Sequence, residues 1–301
     1  MFRYRNILVP LDGSTLAERA LLPAVHIAKA MSAPLLLLRV ISPPPINDAL
    51  ELNVLLMKER EAEAIAYLGD VKAKVTPLIS EVKTAVIHGA PAKSIIHYAQ
   101  DNNIDLIVLS SHGHSGLKRW VFGSVATRLL RKAPCSTLVI RAKVTIEPFS
   151  QNHFLIPLDG SELAEHALKP AMSFAMLTQA NITLFTAVFA LDELAPALYK
   201  HRLNLVEREE RIIKKRYLRK LVAAFADVKI SAKAIIDRGA AHECILAYAH
   251  KHLVDLIIMS SHGRSGVELW AFGSVTEKVL NGSHCAVLIV REKNHRNMRE
   301  S

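Results

Sequence analysis

Short apolar runs alternate along the chain with longer stretches in which apolar residues recur every three or four positions. In the first half the runs are Ile7–Leu11, Leu35–Ile41, 82–87, Leu106–Ser110 and 137–140, and the amphipathic stretches are 15–31, 47–69, 91–102 and 124–132. Runs of about five apolar residues with no polar alternation fit strands buried on both faces, and the stretches of period near 3.6 fit helices that cover them. Ser14 or Thr15 stands where the first helix needs a cap, and Pro134 where the last must stop. The second half repeats the runs at 154–158, 182–188, 229–236, 256–260 and 286–290. Strands alternating with helices in this way predict an α/β fold built on parallel sheets.

The chain also repeats itself residue by residue. Residues 105–141 read DLIVLSSHGHSGLKRWVFGSVATRLLRKAPCSTLVIR, and 255–291 read DLIIMSSHGRSGVELWAFGSVTEKVLNGSHCAVLIVR, with 18 of 37 positions identical and no gap. ILVPLDGS at 7–14 returns as FLIPLDGS at 154–161. The offset is 147 residues at the first motif and 150 at the second. A period this long is a whole domain and not a solenoid unit. Two tandem domains are expected, 1–145 and 150–293, joined near 142–152 by a segment carrying Pro148, Ser150, Gln151 and Asn152.

Two features fall at the carboxyl ends of predicted strands, where open α/β sheets bind ligands. One is Asp12, with its twin Asp159. The other is the loop Ser110-Ser111-His112-Gly113, nine residues, then Gly123-Ser124, repeated as Ser260-Ser261-His262-Gly263, nine residues, then Gly273-Ser274. Gly123 and Ser124 stand where a helix begins, so free N–H groups and the positive end of the helix dipole would attract phosphate there. Glycine lets such a loop approach an anion and adopt positive φ. Ser124 has two readings, a helix cap or a hydrogen-bond donor to phosphate. Asp12 and Gly123 each keep a plainer one as well, a turn aspartate and a helix-entry glycine.

Strand-PLDGS, strand-SSHG-x9-GS and a final apolar strand, each found twice, resemble the universal stress protein family over nearly the whole chain. That resemblance implies two tandem doubly wound five-stranded parallel-sheet domains of strand order 3-2-1-4-5, a Rossmann-like, adenine nucleotide alpha hydrolase-like fold. It also implies ATP, with Mg2+ as counter-ion, in one or both domains. Carried over by position, Pro10, Leu11 and Asp12 would meet adenine and ribose, Val40 the adenine, and Gly113, Gly123, Ser124 and Val125 the phosphates and ribose. The matching residues are Pro157, Leu158, Asp159, Ala187, Gly263, Gly273, Ser274 and Val275. The family's first motif glycine is Ser110 here and Ser260 in the second half, which would strain the backbone if that position needs positive φ. In the family's order the last strands, 137–140 and 286–290, lie at sheet edges. Apolar edges invite pairing, so an intramolecular pseudo-dimer of the two domains is expected, and a homodimer is compatible with it.

Composition narrows the classes further. The formal net charge is +10, which draws anions without naming one. No helix-turn-helix, finger or aromatic-rich basic strand accompanies it, so nucleic acid is not the expected partner. No apolar run approaches the ~20 residues of a membrane span. The opening Met-Phe-Arg-Tyr-Arg-Asn lacks a leader's apolar core, and three cysteines make no disulfide framework, so a cytoplasmic protein is expected. Cys135 and Cys285, equivalent at the entry to the last strand, read as buried inert thiols. Trp120 and Trp270 read as packing anchors of the loop. His112, His262 and the matched pair His114 and Arg264 lie within the motif, near enough for a cation at phosphate. Lys214, Lys215, Arg216, Arg219 and Lys220 read as the solvated face of a long helix whose buried side is Ile212, Ile213, Leu218, Leu221 and Phe225.

Enzyme signatures are absent from the sequence. There is no Gly-x4-Gly-Lys-Ser/Thr loop, no Gly-x-Gly-x-x-Gly after the first strand, and Gly113-His114-Ser115-Gly116 is one residue short of a nucleophile elbow. A non-enzymatic stress-response regulator, at most a slow ATPase, is the expectation. The alternative is a signalling scaffold holding zinc or another small ligand. His112/His114, His250/His252 and His242/Cys244 are spaced for metal, yet form no four-ligand pattern.

Overall fold

The computed structural model describes residues 2–44, 50–111, 122–141, 152–190, 197–261 and 273–291. The junction at 142–151, Gly113, Gly263, His112, His114, His262, Arg264, Trp120 and Trp270 lie outside the described residues. The chain divides into two compact units, in the main Arg3–Ala142 and Lys143–Val290.

The first unit contains β1 (Ile7–Leu11), α1 (Thr15–Glu18), α2 (Leu21–Met31), β2 (Leu35–Ile41), α3 (Leu50–Val75), β3 (Val82–His88), α4 (Pro91–Asp101), β4 (Leu106–Ser110), α5 (Ser124–Lys132) and β5 (Ser136–Ile140). All pairings are parallel. β1 lies between β2 (Ile7 against Leu35) and β4 (Ile7 against Leu106), β3 flanks β2, and β5 flanks β4. The order is therefore 3-2-1-4-5, as expected. Every residue of β4 and β5 is buried, which is why these strands read as continuous apolar runs.

The second unit repeats this with β6 (His153–Pro157), α6 (Glu162–Glu165), α7 (Leu168–Thr178), β7 (Asn181–Val188), α8 (Ala197–Asp227), β8 (Ala232–Arg238), α9 (Ala241–Lys251), β9 (Leu256–Ser260), α10 (Ser274–Gly282) and β10 (Ala286–Val290). β6 pairs with β7 and β9, β8 with β7, and β10 with β9, again all parallel.

The expected helix over 15–31 is two helices. Pro23 is the third residue of α2, and its ring lacks the N–H that would bond the carbonyl of Arg19, so the helical ladder is interrupted there. Pro170 does the same to α6 and α7. Pro134 follows the end of α5 as expected, and the extended Ala133 before it is the conformation a following proline favours, although the second unit ends its helix alike without one. Ala133 leaves the helix at φ −61°, ψ 138°, and Ser283 leaves α10 at φ −65°, ψ 138° with His284 after it.

The inward face of α8 also differs from expectation. Leu218 and Phe225 are buried, but Ile212 and Ile213 are 53% and 66% exposed, while Lys214 is only 9% exposed. Counting back from Phe225 and Leu218 at helical spacing reaches Lys214 and then Glu210, so the stripe that faces the protein turns polar toward the amino end of the helix.

Candidate functional site

β1 and β4 are neighbours whose chains leave in opposite directions across the sheet, and a crevice opens where their carboxyl ends part. At its edge β1 runs out into Asp12. Asp12 Oδ1 accepts from the backbone N–H (3.0 Å) and the hydroxyl (2.6 Å) of Ser14, and Ser14 Oγ accepts from the N–H of Ala17, capping α1. Gly13 turns the chain between them at φ +83°, and a Cβ there would stand 3.2 Å from the Arg39 guanidinium. In the second unit Asp159 Oδ1 accepts from Ser161 at 2.9 and 2.6 Å, Ser161 caps α6, and Gly160 has φ +85°. The turn reading and the cavity reading of these aspartates hold together: the turn is what points a carboxylate at the crevice.

The opposite wall is the start of α5. Its N-cap is Gly123, which has no side chain to bond the first-turn amides, in contrast to Ser14 at α1. α10 begins in the same way at Gly273. Ser124 and Ser274 are the first helical residues, so neither caps its helix. The glycines do not use positive φ: Gly123 has φ −57°, ψ 155°, and Gly273 has φ −56°, ψ 142°. Their amides donate to Ser111 O (3.3 Å) and Ser261 O (3.1 Å), which ties each helix start to the end of the neighbouring strand.

The result is a cavity at this place in each unit. The first is about 270 Å³, and Pro10, Leu11, Asp12, Val40, Ser110, Gly123, Ser124 and Val125 all line it. The second is about 400 Å³, lined by Pro157, Leu158, Asp159, Ala187, Ser260, Gly273, Ser274 and Val275 at the matching positions. The first volume falls just below, and the second at the low end of, the ~300–1,000 Å³ of small-molecule sites. Every candidate residue that is described therefore borders a cavity.

Ser110 and Ser260 are not among the residues with positive φ; each simply ends its strand, and neither strains the backbone. The Ser110 hydroxyl is buried and finds no hydrogen-bond partner among the described residues. A donor left unsatisfied in this way costs free energy that a ligand atom would recover.

Among the lining residues that sequence reasoning missed are the charged pair Lys214 and Glu210. Lys214 Nζ donates to the backbone carbonyl of Ala187 (2.6 Å) and pairs with Glu210 (2.8 Å) inside the second cavity. The available signal was register: Tyr217-Leu218 repeats Tyr67-Leu68, which puts Lys214 where the first unit has Ala64.

The three cysteines are buried, and burial pushes the Cys244 thiol up, away from thiolate chemistry. Among the described residues, no group of three or more His, Cys, Asp or Glu side chains is placed to hold a metal ion, and no helix is long and apolar enough to cross a membrane.

The sequence profile described as the universal stress protein family matches residues 3–141 and again 151–291. The chain belongs to the universal stress protein family. Among its relatives, universal stress protein MJ0531 of Methanocaldococcus jannaschii is 33% identical over 143 residues, 46% of this chain and 82% of that protein. Universal stress protein Rv2005c of Mycobacterium tuberculosis is 26% identical over 212 residues, 70% of this chain and 69% of the relative. The crystal structure of a universal stress protein from Archaeoglobus fulgidus superposes with a TM-score of 0.74 at 21% identity, covering 97% of this chain and all of the other, a likeness of fold.

Proposed function

We propose that this tandem universal stress protein is a cytoplasmic, non-enzymatic regulator that binds nucleotide in its two crevices, with ATP in the first. One observation carries the reading: a carboxylate held by its own turn faces an uncapped helix start across a single cavity, and the arrangement is built twice. The amides of the first turn of α5 and the helix dipole supply the phosphate seat, worth about 0.3–1 kcal/mol per charge from the dipole alone. Asp12 supplies an acceptor for ribose hydroxyls. Leu11 and Val40 supply an apolar wall for the base, and the orphan Ser110 hydroxyl supplies a donor.

Filling the crevice would order its rim and shift the population of surfaces offered to partners. Among the described residues bordering the first cavity, no side chain other than Asp12 can act as a general base, and its Oδ1 is engaged by Ser14, so hydrolysis is expected to be slow. Pairing of the domains through their last strands, and a homodimer, belong to the same proposal and are read by light scattering and crosslinking. The scaffold alternative arose from Ser110 and Ser260, and the unstrained backbone at both positions removes that motive.

The test is direct. Purified protein is heat-denatured and the supernatant examined by mass spectrometry, and the protein is titrated with Mg-ATP in a calorimeter. The expected result is a bound adenine nucleotide or measurable heat, with affinity falling about tenfold or more in Asp12→Ala. No nucleotide released and no heat would sink the reading.

A further inference from the structure

We propose that the second cavity selects a 6-oxopurine nucleotide, of guanine or hypoxanthine type, while the first keeps the adenine nucleotide, and that Lys214 divides them. This rests on the nucleotide reading above, which puts the base against Val40 in the first unit and Ala187 in the second.

The geometry at Ala187 comes from the sheet. Successive carbonyls of a strand point to opposite sides. Val188 O accepts from Gly239 N on the β8 side, and Phe185 O accepts from Leu158 N on the β6 side. Ala187 O, two residues beyond Phe185, therefore points past the end of β6, over the crevice. Ile41 O accepts from Gly89 N in the same way, so Val40 O points over the first crevice. An outward carbonyl at the base end is a natural acceptor for an exocyclic amine, the group at position 6 of adenine.

In the second unit that acceptor is occupied. Lys214 Nζ stands 2.6 Å from Ala187 O, and its side chain is 11% exposed. An ammonium has three donors and no acceptor. An adenine amine brought to this place would meet another donor, desolvated and charged. A 6-oxo group would instead receive a charge-assisted hydrogen bond, the pairing by which lysine reads the guanine edge. Glu210, 2.8 Å from Lys214 Nζ and also bordering the cavity, adds an acceptor beside that donor. Guanine presents this complement: an oxygen at position 6 next to the N1 and N2 donors.

The described residues of the first unit offer nothing equivalent. Ala64 replaces Lys214, and the nearby cation, Arg39, is turned to Leu11 O and to the Tyr67 ring, outside the residues that border the cavity. The second cavity is also the larger, with Ala187 in place of Val40, which leaves room for the lysine and a base together.

The test uses the whole chain. 8-Azido-ATP and 8-azido-GTP are photocrosslinked in separate reactions, labelled peptides are assigned to each half, and unlabelled ATP and GTP compete for each label. The expected result is ATP preference in the first half and GTP preference in the second. Lys214→Ala, which installs the first half's side chain, lowers the GTP-to-ATP ratio at the second half about tenfold or more, and Lys214→Arg keeps it. A ratio within one protein is insensitive to partial unfolding, which lowers both affinities. If Lys214→Ala does not fold, the unaltered chain and Lys214→Arg still decide. ATP preference in both halves of the unaltered chain, or an unchanged ratio in Lys214→Ala, overturns this inference and leaves the nucleotide reading standing. Labelling of neither half by either nucleotide overturns both.

Discussion

The two units share a backbone plan but root their cations differently. In the first, Arg39 projects from β2, donates to Leu11 O at 3.3 Å and lies over the Tyr67 ring at 5.9 Å, beside the turn that holds Asp12. In the second, β2's counterpart residue is Thr186, fully inside, and the cation comes from α8 as Lys214. The partner positions change together: Arg39 and Ala64 on one side, Thr186 and Lys214 on the other. The tyrosine between them persists. Burial and then the neighbouring Glu18 hold the Tyr67 phenol well above its usual range, and burial and Glu165 do the same to Tyr217. One charge has thus been moved from sheet to helix while the packing around it was kept. The move carries it from beside the cavity to inside it. A duplicated domain can change what its crevice accepts without altering the crevice's backbone.

The units also differ in the core beneath α3 and α8, and the comparison should break there with the largest effect. Phe225 is 1% exposed, and its counterpart Val75 is 4% exposed. Phe225→Ala is expected to cost about 3–5 kcal/mol, against roughly 2 kcal/mol for Val75→Ala, and denaturant melts of the two variants compare them. Equal losses would mean the long helices pack alike despite their different side chains.

Where the units are the same, equal effects are expected. Ser14→Ala and Ser161→Ala each remove the side-chain cap of the first turn of α1 or α6 and should cost about 1 kcal/mol apiece in thermal melts. A larger loss at one site would show that its aspartate turn does more than hold the cap.

The smallest effect separates the units by pH. His153 opens β6 where the first unit has Asn6; it bonds Thr183 Oγ1 (2.9 Å) and His252 O (3.1 Å), and burial holds its pKa below the ordinary histidine value, although the bond to His252 O pulls the other way. The native state therefore keeps His153 neutral while the unfolded chain takes up a proton near pH 6.5, so the stability it contributes is present above that pH and lost as pH falls through it. Hydrogen exchange that resolves the two halves should show the second loosening more between pH 7 and pH 5, and His153→Asn should remove the difference.

The residues Pro10 to Asp12, Ser110, Gly123 and Ser124 could be read from the sequence because each stands at the end of a local pattern. A strand that stops or a helix that starts announces its own boundary, and the repeat announces it twice. The strand order came with the family likeness, and β1 lying between β2 and β4 confirmed it. What local pattern could not settle were matters of angle and reach. Gly123 invites a positive φ that the chain does not adopt, and Ser110 warns of a strain that is absent, because φ depends on how the strand end meets the following turn.

Lys214 is the clearest case. A lysine that follows two isoleucines and opens the basic run Lys214-Lys215-Arg216 reads as solvated, since a charge left unpaired in the interior is costly. Whether a helical stripe meets closed sheet or open crevice depends on where the helix crosses the strand ends, and that distance is set by packing across residues far apart in the chain. The sequence by itself determined the duplicated sheet and the turns that border each cavity, because these follow from neighbours along the chain. Only the tertiary structure decided which side chains reach across: Glu210 accompanies Lys214 along the helix, four residues away, but the Ala187 carbonyl that completes the shelter of its ammonium meets it only once the helix is docked.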